Sequence, residues 1–269
     1  MPAPVDLYNL AYAQVEHDLY RDIRTETYGY DLGQTSWVTT AESHRIPQLL
    51  HLAPASAVLE IGSGSGLYAL HLAQRIGCSI TGLDLNPNAI AAATQLAQTA
   101  SLNSIARFQQ ADASQPLPLP DAAFHAAFAN DVLCHIPHRA SLLRELFRVL
   151  RPGAHLLFSD ALIVGGLLSH HEIATRSSIG PYFFSPPGEN ERLLAAAGFT
   201  LLSTTDTSED AATLAQRWHN ARERRREPLT TLEGADRFAG LQQFLACVHT
   251  LTSERRLLRH LYLAQKPTS

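Results

Sequence analysis

The sequence predicts an α/β protein built on a doubly wound, mostly parallel sheet, and three observations predict it. The apolar run Val58-Leu59-Glu60-Ile61 leads straight into Gly62-Ser63-Gly64-Ser65-Gly66 and a helical stretch, the pattern of a buried strand, a tight turn and a helix N-terminus. From about residue 57 to residue 160, short apolar runs alternate with helical patterns, the rhythm of parallel strands joined by crossover helices. Asp84 closes the second strand, where an acidic side chain is placed to accept hydrogen bonds from a ribose diol beside a glycine turn.

With 269 residues the chain can bury one large core with elaborations. A net charge of -4 gives no basic footprint for phosphate backbones, so no nucleic acid partner is expected. No stretch is apolar for the length of a membrane span, and Met1 to Asp6 has neither a basic nor an apolar leader region, so the reading is a soluble, cytoplasmic protein without a membrane partner. Cys78, Cys134 and Cys247 are an odd, widely spaced set that indicates neither a disulfide framework nor a zinc site, and their reading is reduced and buried. His170-His171-Glu172 is no metal site either, because neighbours on a helix diverge by about 100°. No metal is expected.

The elements follow in order. Leu7, Ala11, Val15, Leu19 and Ile23 recur every fourth residue, predicting one N-terminal amphipathic helix. An aromatic loop over Tyr28 to Trp37 comes next, and Thr39 with Glu42 forms a capping box for a helix towards Leu52. Strands are expected at 57–61, 79–83, 105–109, 124–129 and 155–159, with helices over 67–76, 89–100 and roughly 142–150 between them; Asn86-Pro87 supplies an N-cap and first-turn proline, and Pro152-Gly153 a stop. Residues 161–187 read as loop-rich, a helix and strand follow over 189–204, and about fifty residues of helical pattern precede a last strand within 257–264. Arg222, Arg224, Arg225 and Arg226, interrupted by Glu223, read as a solvated helix face, with the binding of an anionic acceptor as the alternative.

The glycine turn separates cofactor classes. A dinucleotide fingerprint needs glycine at position 67, which is Leu67, and no lysine of a phosphate-binding loop is present. The spacing is instead Glu60-x-Gly62-x-Gly64-x-Gly66. Together with Asp84, with Gln110-Ala111-Asp112-Ala113 after strand three, with Phe128-Ala129-Asn130-Asp131 ending strand four, and with Glu145 to Gly153 before strand five, it resembles the class I S-adenosylmethionine-dependent methyltransferases of the small-molecule type. The match is best over about residues 50 to 160.

That resemblance implies a Rossmann-like, seven-stranded sheet with helices on both faces, an antiparallel seventh strand and a largely helical cap. The core would comprise about 46–160, 188–205 and 255–267, and the cap 1–45, 161–187 and 206–254, in a single domain. It implies S-adenosyl-L-methionine as cofactor, held by Glu60, Gly62, Ser63, Gly64, Gly66, Asp84, Leu85, Asp112, Ala113, Asn130 and Asp131, with Ser36 and Trp37 from the aromatic loop. Glu60 and Asp131 can also steer a sulfonium cation by charge. His135-Ile136-Pro137 resembles the family's His-x-Pro segment near the acceptor, which makes His135 a candidate base with Asp160 as its partner. Tyr28, Tyr30, Tyr182 and Phe183 are candidate substrate or cap residues, joined by Tyr8 and Tyr12. Three inserted segments around one pocket suggest a small-molecule methyl acceptor, with the N-terminal helix able to pack on its own core or on another copy in a homo-oligomer. Methylation of a macromolecule, and a sensor or scaffold that binds the cofactor without methylating, are the rival readings.

Overall fold

A computed structural model describes residues 5–268; positions 1–4, the start of the expected cap and of the leader reading, lie outside the described residues, as does Ser269. Seven strands form one sheet: β1 (Ala57–Ile61), β2 (Ser79–Asp84), β3 (Ala106–Gln110), β4 (Phe124–Ala129), β5 (Leu150–Val164), β6 (Thr200–Asp206) and β7 (Leu257–Gln265). Their order is β3-β2-β1-β4-β5-β7-β6. β1 pairs in parallel with β2 on one side and β4 on the other, while β7 runs antiparallel to both β5 and β6. Strand order reverses between β1 and β4, and in open parallel sheets a ligand crevice forms outside the carboxyl ends at such a point.

The helices justify their sequence signals. α4 (Leu67–Ile76) starts directly from the glycine turn, and α5 (Pro87–Thr99) begins with Asn86 accepting from Asn88 N and Ala89 N. α3 (Thr40–Leu49) is capped by Thr39, whose hydroxyl accepts from Glu42 N at 3.0 Å, but the expected capping box is only half made, because the Glu42 carboxylate bonds Arg259 instead of the Thr39 N–H. α6 (Arg139–Val149) and α8 (Glu189–Ala196) pack beside β5 and β6 through Leu142, Leu143, Leu146, Leu193 and Leu194, all buried in the core on that face of the sheet.

Four further expectations change. The N-terminal helix is two helices, α1 (Tyr8–Ala13) and α2 (Asp18–Tyr28), because the Val15 carbonyl is taken by Arg24 Nη2 at 2.5 Å and His17 caps the second helix. β5 is far longer than its expected core, since β7 supplies antiparallel partners out to Val164. The segment 161–187 contains a short helix, α7 (His170–Arg176), opened by a capping box of Ser169 and Glu172. Arg222 is not solvated: it is buried and bonds Glu233 through both terminal nitrogens, whereas Arg224 and Arg225 reach Glu26 and Arg226 reaches Glu223.

The helical pattern over 206–254 becomes α9 (Ser208–Glu223), α10 (Arg226–Glu233) and α11 (Ala235–Ser253). A second apolar cluster, separate from those against the sheet, joins Leu214, Trp218, Phe238 and Phe244 of these helices to Leu7, Ile23, Tyr28 and Trp37 from the N-terminal segment and to Ala161 and Ile179. Three segments far apart in sequence therefore share one small core lying over the sheet edge. Among the described residues no helix is long and apolar enough to cross a membrane.

Candidate active site

A cavity of about 690 Å³ opens beyond the carboxyl ends of β1, β2 and β4, with the helical cluster as its far wall. The glycine turn forms one end. Gly62 N and Ser63 N both donate to the Leu83 carbonyl, at 2.7 and 3.1 Å, which ties the turn to β2. Gly62 has φ +71°, and a Cβ there would lie 2.2 Å from Val132 Cγ2, so no other residue fits. Gly66 has φ +74° and packs against Ala93 and Phe108 without lining the cavity.

Asp84 accepts from Gly64 N at 2.9 Å and from Asn86 N at 2.8 Å, so one carboxylate joins the turn to the end of β2. Burial raises its pKa above the ordinary aspartate value against the lowering effect of those bonds. Glu60 is 4 % exposed, its Oε2 has no partner, and burial with the nearby Asp84 charge pushes its pKa well up. Ser63 Oγ and Asn130 Oδ1 are likewise buried without partners on the same cavity wall. An unpaired buried carboxylate with free acceptor oxygens around it suits a cationic, hydrogen-bond-donating ligand. Leu85 and Asp112 lie exposed at the rim, and Ala113 beside them.

Asp131 plays a different part from the one its position suggested. It adopts φ +57° and is held by three contacts: its N–H donates to Ser159 Oγ, Oδ2 accepts from Trp37 N at 2.8 Å, and Oδ1 accepts from Arg259 Nε at 2.9 Å. Arg259, wholly buried on β7, also bonds both oxygens of Glu42 at 2.8 and 2.9 Å and Thr207 Oγ1 at 2.7 Å. The charge of Asp131 is thus spent largely on Arg259, and Glu60 is the carboxylate left for a ligand cation. Through Trp37 N, Asp131 fixes the loop that carries Ser36 and Trp37 along the cavity, helped by Tyr28, whose hydroxyl donates to the Ser36 carbonyl.

The other end of the cavity is aromatic. His135 closes a 3-10 turn (Leu133–His135) after β4, with Nδ1 3.1 Å from the Pro181 carbonyl and Nε2 3.0 Å from the Tyr8 hydroxyl. A carbonyl can only accept, so Nδ1 carries the hydrogen and Nε2 accepts from Tyr8. Burial lowers the His135 pKa to about 4, which keeps the ring neutral. Its ring centroid lies 4.3 Å from that of Tyr182, with the two planes tilted by 34°. Cys134 is buried, its thiol donating to the Asp131 carbonyl and its pKa raised by burial, which is the state of a packed thiol and not of a nucleophile.

The cavity therefore brings together Glu60, Gly62, Ser63, Gly64, Asp84, Leu85, Asp112, Ala113, Asn130, Asp131, Ser36, Trp37, His135 and Tyr182. It does not include Asp160, Tyr28, Tyr30 or Phe183. Asp160 is a correction to the expected His135 partner: it is fully buried and accepts from Arg139 Nη1 at 2.7 Å, Asn190 Nδ2 at 2.9 Å and Leu162 N at 3.0 Å, while both ring nitrogens of His135 are taken by the Pro181 carbonyl and the Tyr8 hydroxyl. Arg139 in turn bonds Ser185 Oγ and the Phe183 carbonyl, and Phe183 N donates to the Cys134 carbonyl, so the Asp160 cluster anchors residues 183–185 beside the histidine turn. Tyr30 is half exposed and Phe183 is partly exposed, both outside the cavity lining. Sequence reading did not single out Arg176, Phe244 or Ile179 on the cavity wall, nor Arg259 behind it. Arg259 alone left a trace: a charged residue at an inward position of the alternating run Leu257, Arg259, Leu261.

Residues 59–158 match the family model described as a methyltransferase domain. The chain is 28% identical over 267 residues to the 27-O-demethylrifamycin SV methyltransferase of Amycolatopsis mediterranei (strain S699), covering 93% of this chain and 95% of that one. Among solved structures it is similar to phosphoethanolamine N-methyltransferase 2 of Haemonchus contortus (18% identity, 96% of this chain and 59% of that chain, TM-score 0.81) and to the cyclase SpnF (23%, 100% and 99%, TM-score 0.72). The chain thus carries, over residues 59–158, a methyltransferase domain of the class I S-adenosylmethionine-dependent kind.

Proposed function

We propose that the protein methylates an oxygen of a small-molecule acceptor enclosed between the sheet and the helical cluster. The observation that carries this reading is one continuous cavity running from Asp84 and Glu60 to the Tyr8–His135 pair, so that a nucleoside end and an acceptor end share one enclosure. Glu60, Ser63, Gly64, Asp84, Asp112 and Asn130 are the residues that would hold the cofactor, and the partnerless oxygens of Glu60, Ser63 and Asn130 support the fit. S-adenosylmethionine supplies there a methyl group already activated on a sulfonium.

The chain's own contribution is then chiefly placement, which can supply much of the acceleration when the donor is activated. The loop fixed by Asp131, the turn bearing His135 and segment 179–182 form the walls of the acceptor end. A neutral His135 with its free electron pair on Tyr8 gives an acceptor hydroxyl a hydrogen-bonded route for its proton: acceptor to Tyr8, Tyr8 to His135 Nε2. With a pKa near 4 the ring does not strip that proton beforehand, so proton loss accompanies or follows bond formation. Oxygen is favoured over nitrogen and carbon by this relay and by the likeness over nearly the whole chain to an enzyme named for a 27-O position.

A second reading is a protein that uses the same cavity without methylating; the full-length likeness to the cyclase SpnF favours keeping it. Transfer of label from S-adenosylmethionine into a panel of hydroxylated natural-product acceptors separates the two. Label recovered as a methyl ether supports the proposal; acceptors converted to unlabelled rearranged products, with cofactor bound throughout, would sink it.

A further inference from the structure

Five arginines of this chain are buried to 7 % exposure or less: Arg24, Arg139, Arg176, Arg222 and Arg259. Four are paired with carboxylates, Arg24 with Asp31, Arg139 with Asp160, Arg222 with Glu233, and Arg259 with Glu42 and Asp131. Arg176 is the exception. It ends α7 at 1 % exposure, lines the acceptor end of the cavity, and forms no ion pair among the described residues; its Nη1 has no hydrogen-bond partner at all. Its guanidinium lies over the rings of Tyr182, Phe244 and Trp37, at 4.4, 5.1 and 6.0 Å from their centroids, with the Tyr182 hydroxyl alongside. Ring faces stabilise a desolvated cation but do not replace the hydrogen bonds its planar fork makes in water. A buried guanidinium left in that state is complete only when an oxyanion takes up its free donors.

We propose that Arg176 recognises the acceptor through an oxyanionic handle separate from the hydroxyl that is methylated, a carboxylate or an ionised acidic hydroxyl, carried on a flat apolar body. The inference rests on the cavity being the methyl-transfer site. Trp37, Phe244 and Ile179 offer that body an apolar slot, while the Tyr8–His135 pair stands next to Tyr182, so the anion and the proton route belong to one end of the cavity. The protein thus selects acceptors by charge before geometry. Neutral esters and amides of the same shape leave the guanidinium unpaired and are rejected.

Calorimetry on the full chain saturated with S-adenosylhomocysteine tests this with matched probes: benzoate against benzamide, 2-naphthoate against 2-naphthamide, and 2-naphthol across its ionisation. At least one anion should bind tenfold or more tightly than its neutral partner. A carboxylate preference constant with pH identifies a carboxylate handle, whereas naphthol binding that strengthens as it ionises identifies an acidic hydroxyl. Arg176→Met should abolish the preference and Arg176→Lys retain part of it, with S-adenosylhomocysteine affinity within twofold of the parent in both. Arg176→Met should also melt no lower than the parent, since it removes a charge without a partner. The proposal is overturned if no anion is preferred, or if the preference survives in Arg176→Met. Should S-adenosylhomocysteine fail to bind, the methyl-donor reading falls by itself, and the same anion comparison on the ligand-free chain still decides the role of Arg176.

Discussion

Tyr8 and His135, 127 residues apart in sequence, meet at 3.0 Å between the phenol oxygen and Nε2, and the second ring nitrogen is tied to the Pro181 carbonyl. The contact joins the first helix, the turn after β4 and segment 161–187 at a single point, so the proposed proton relay and the packing of these three segments depend on the same residues.

Removing one link should separate turnover from cofactor binding. Tyr8→Phe is expected to lower kcat by about tenfold and His135→Ala by about tenfold to a hundredfold, the range for a positioned proton acceptor, while S-adenosylhomocysteine affinity stays within a few-fold. Steady-state kinetics beside calorimetry checks this, and an unchanged kcat in both variants refutes the relay.

The lowered His135 pKa also writes a signature into stability. Its folded value, about 4, lies below the ordinary 6.5, so between those limits the unfolded chain binds a proton that the folded chain refuses. Stability should fall as pH drops through that window and level off below it, by at most about 3 kcal/mol from this group. Urea midpoints measured from pH 7 to pH 4 should show a shallower decline in His135→Gln than in the parent.

Glu60 predicts the opposite linkage. Burial and the Asp84 charge raise its pKa, so it favours the fold at low pH and that contribution is lost as pH rises past the ordinary glutamate value towards the folded one. Glu60→Gln should therefore melt higher than the parent near neutrality, by about 1 kcal/mol or more in stability, yet bind S-adenosylmethionine roughly ten to a hundred times more weakly. Titrations in buffers of differing ionisation enthalpy should detect proton release on cofactor binding, absent in Glu60→Gln.

Arg259 and the Asp160 cluster predict structural rather than chemical losses. Arg259→Met strands Asp131 and Glu42 in the interior and should cost about 3 to 5 kcal/mol, with partial recovery on adding Glu42→Gln. Asp160→Asn leaves Arg139 short of its carboxylate and should cost about 3 kcal/mol. The folded fraction of Asp160→Asn should keep the parent's pH profile of kcat; a profile shifted with intact stability would return Asp160 to the chemistry.

The local pattern carried the fold a long way. Glycines at 62, 64 and 66, the strand before them and the acidic residue ending β2 are adjacent or one βα unit apart, and their roles follow from backbone freedom and strand ends. Helix caps at Thr39 and Asn86 are equally local. The single N-terminal helix failed because an arginine nine residues on took a backbone carbonyl, and the solvated reading of Arg222 failed because Glu233 lies across a helix turn that spacing does not reveal.

By itself, then, the sequence determined the sheet, the cofactor class and the glycine turn at the end of β1, because those depend on backbone conformation and short-range order. Only the tertiary structure decided how charge is distributed around the cavity: that Asp131 and Asp160 are committed to Arg259 and Arg139, that Glu60 and Arg176 remain unpaired, and that Tyr8 rather than Asp160 meets His135. Ion pairing is set by proximity between segments brought together from 21 to 217 residues apart, and no spacing along a chain encodes which carboxylate reaches a given guanidinium first.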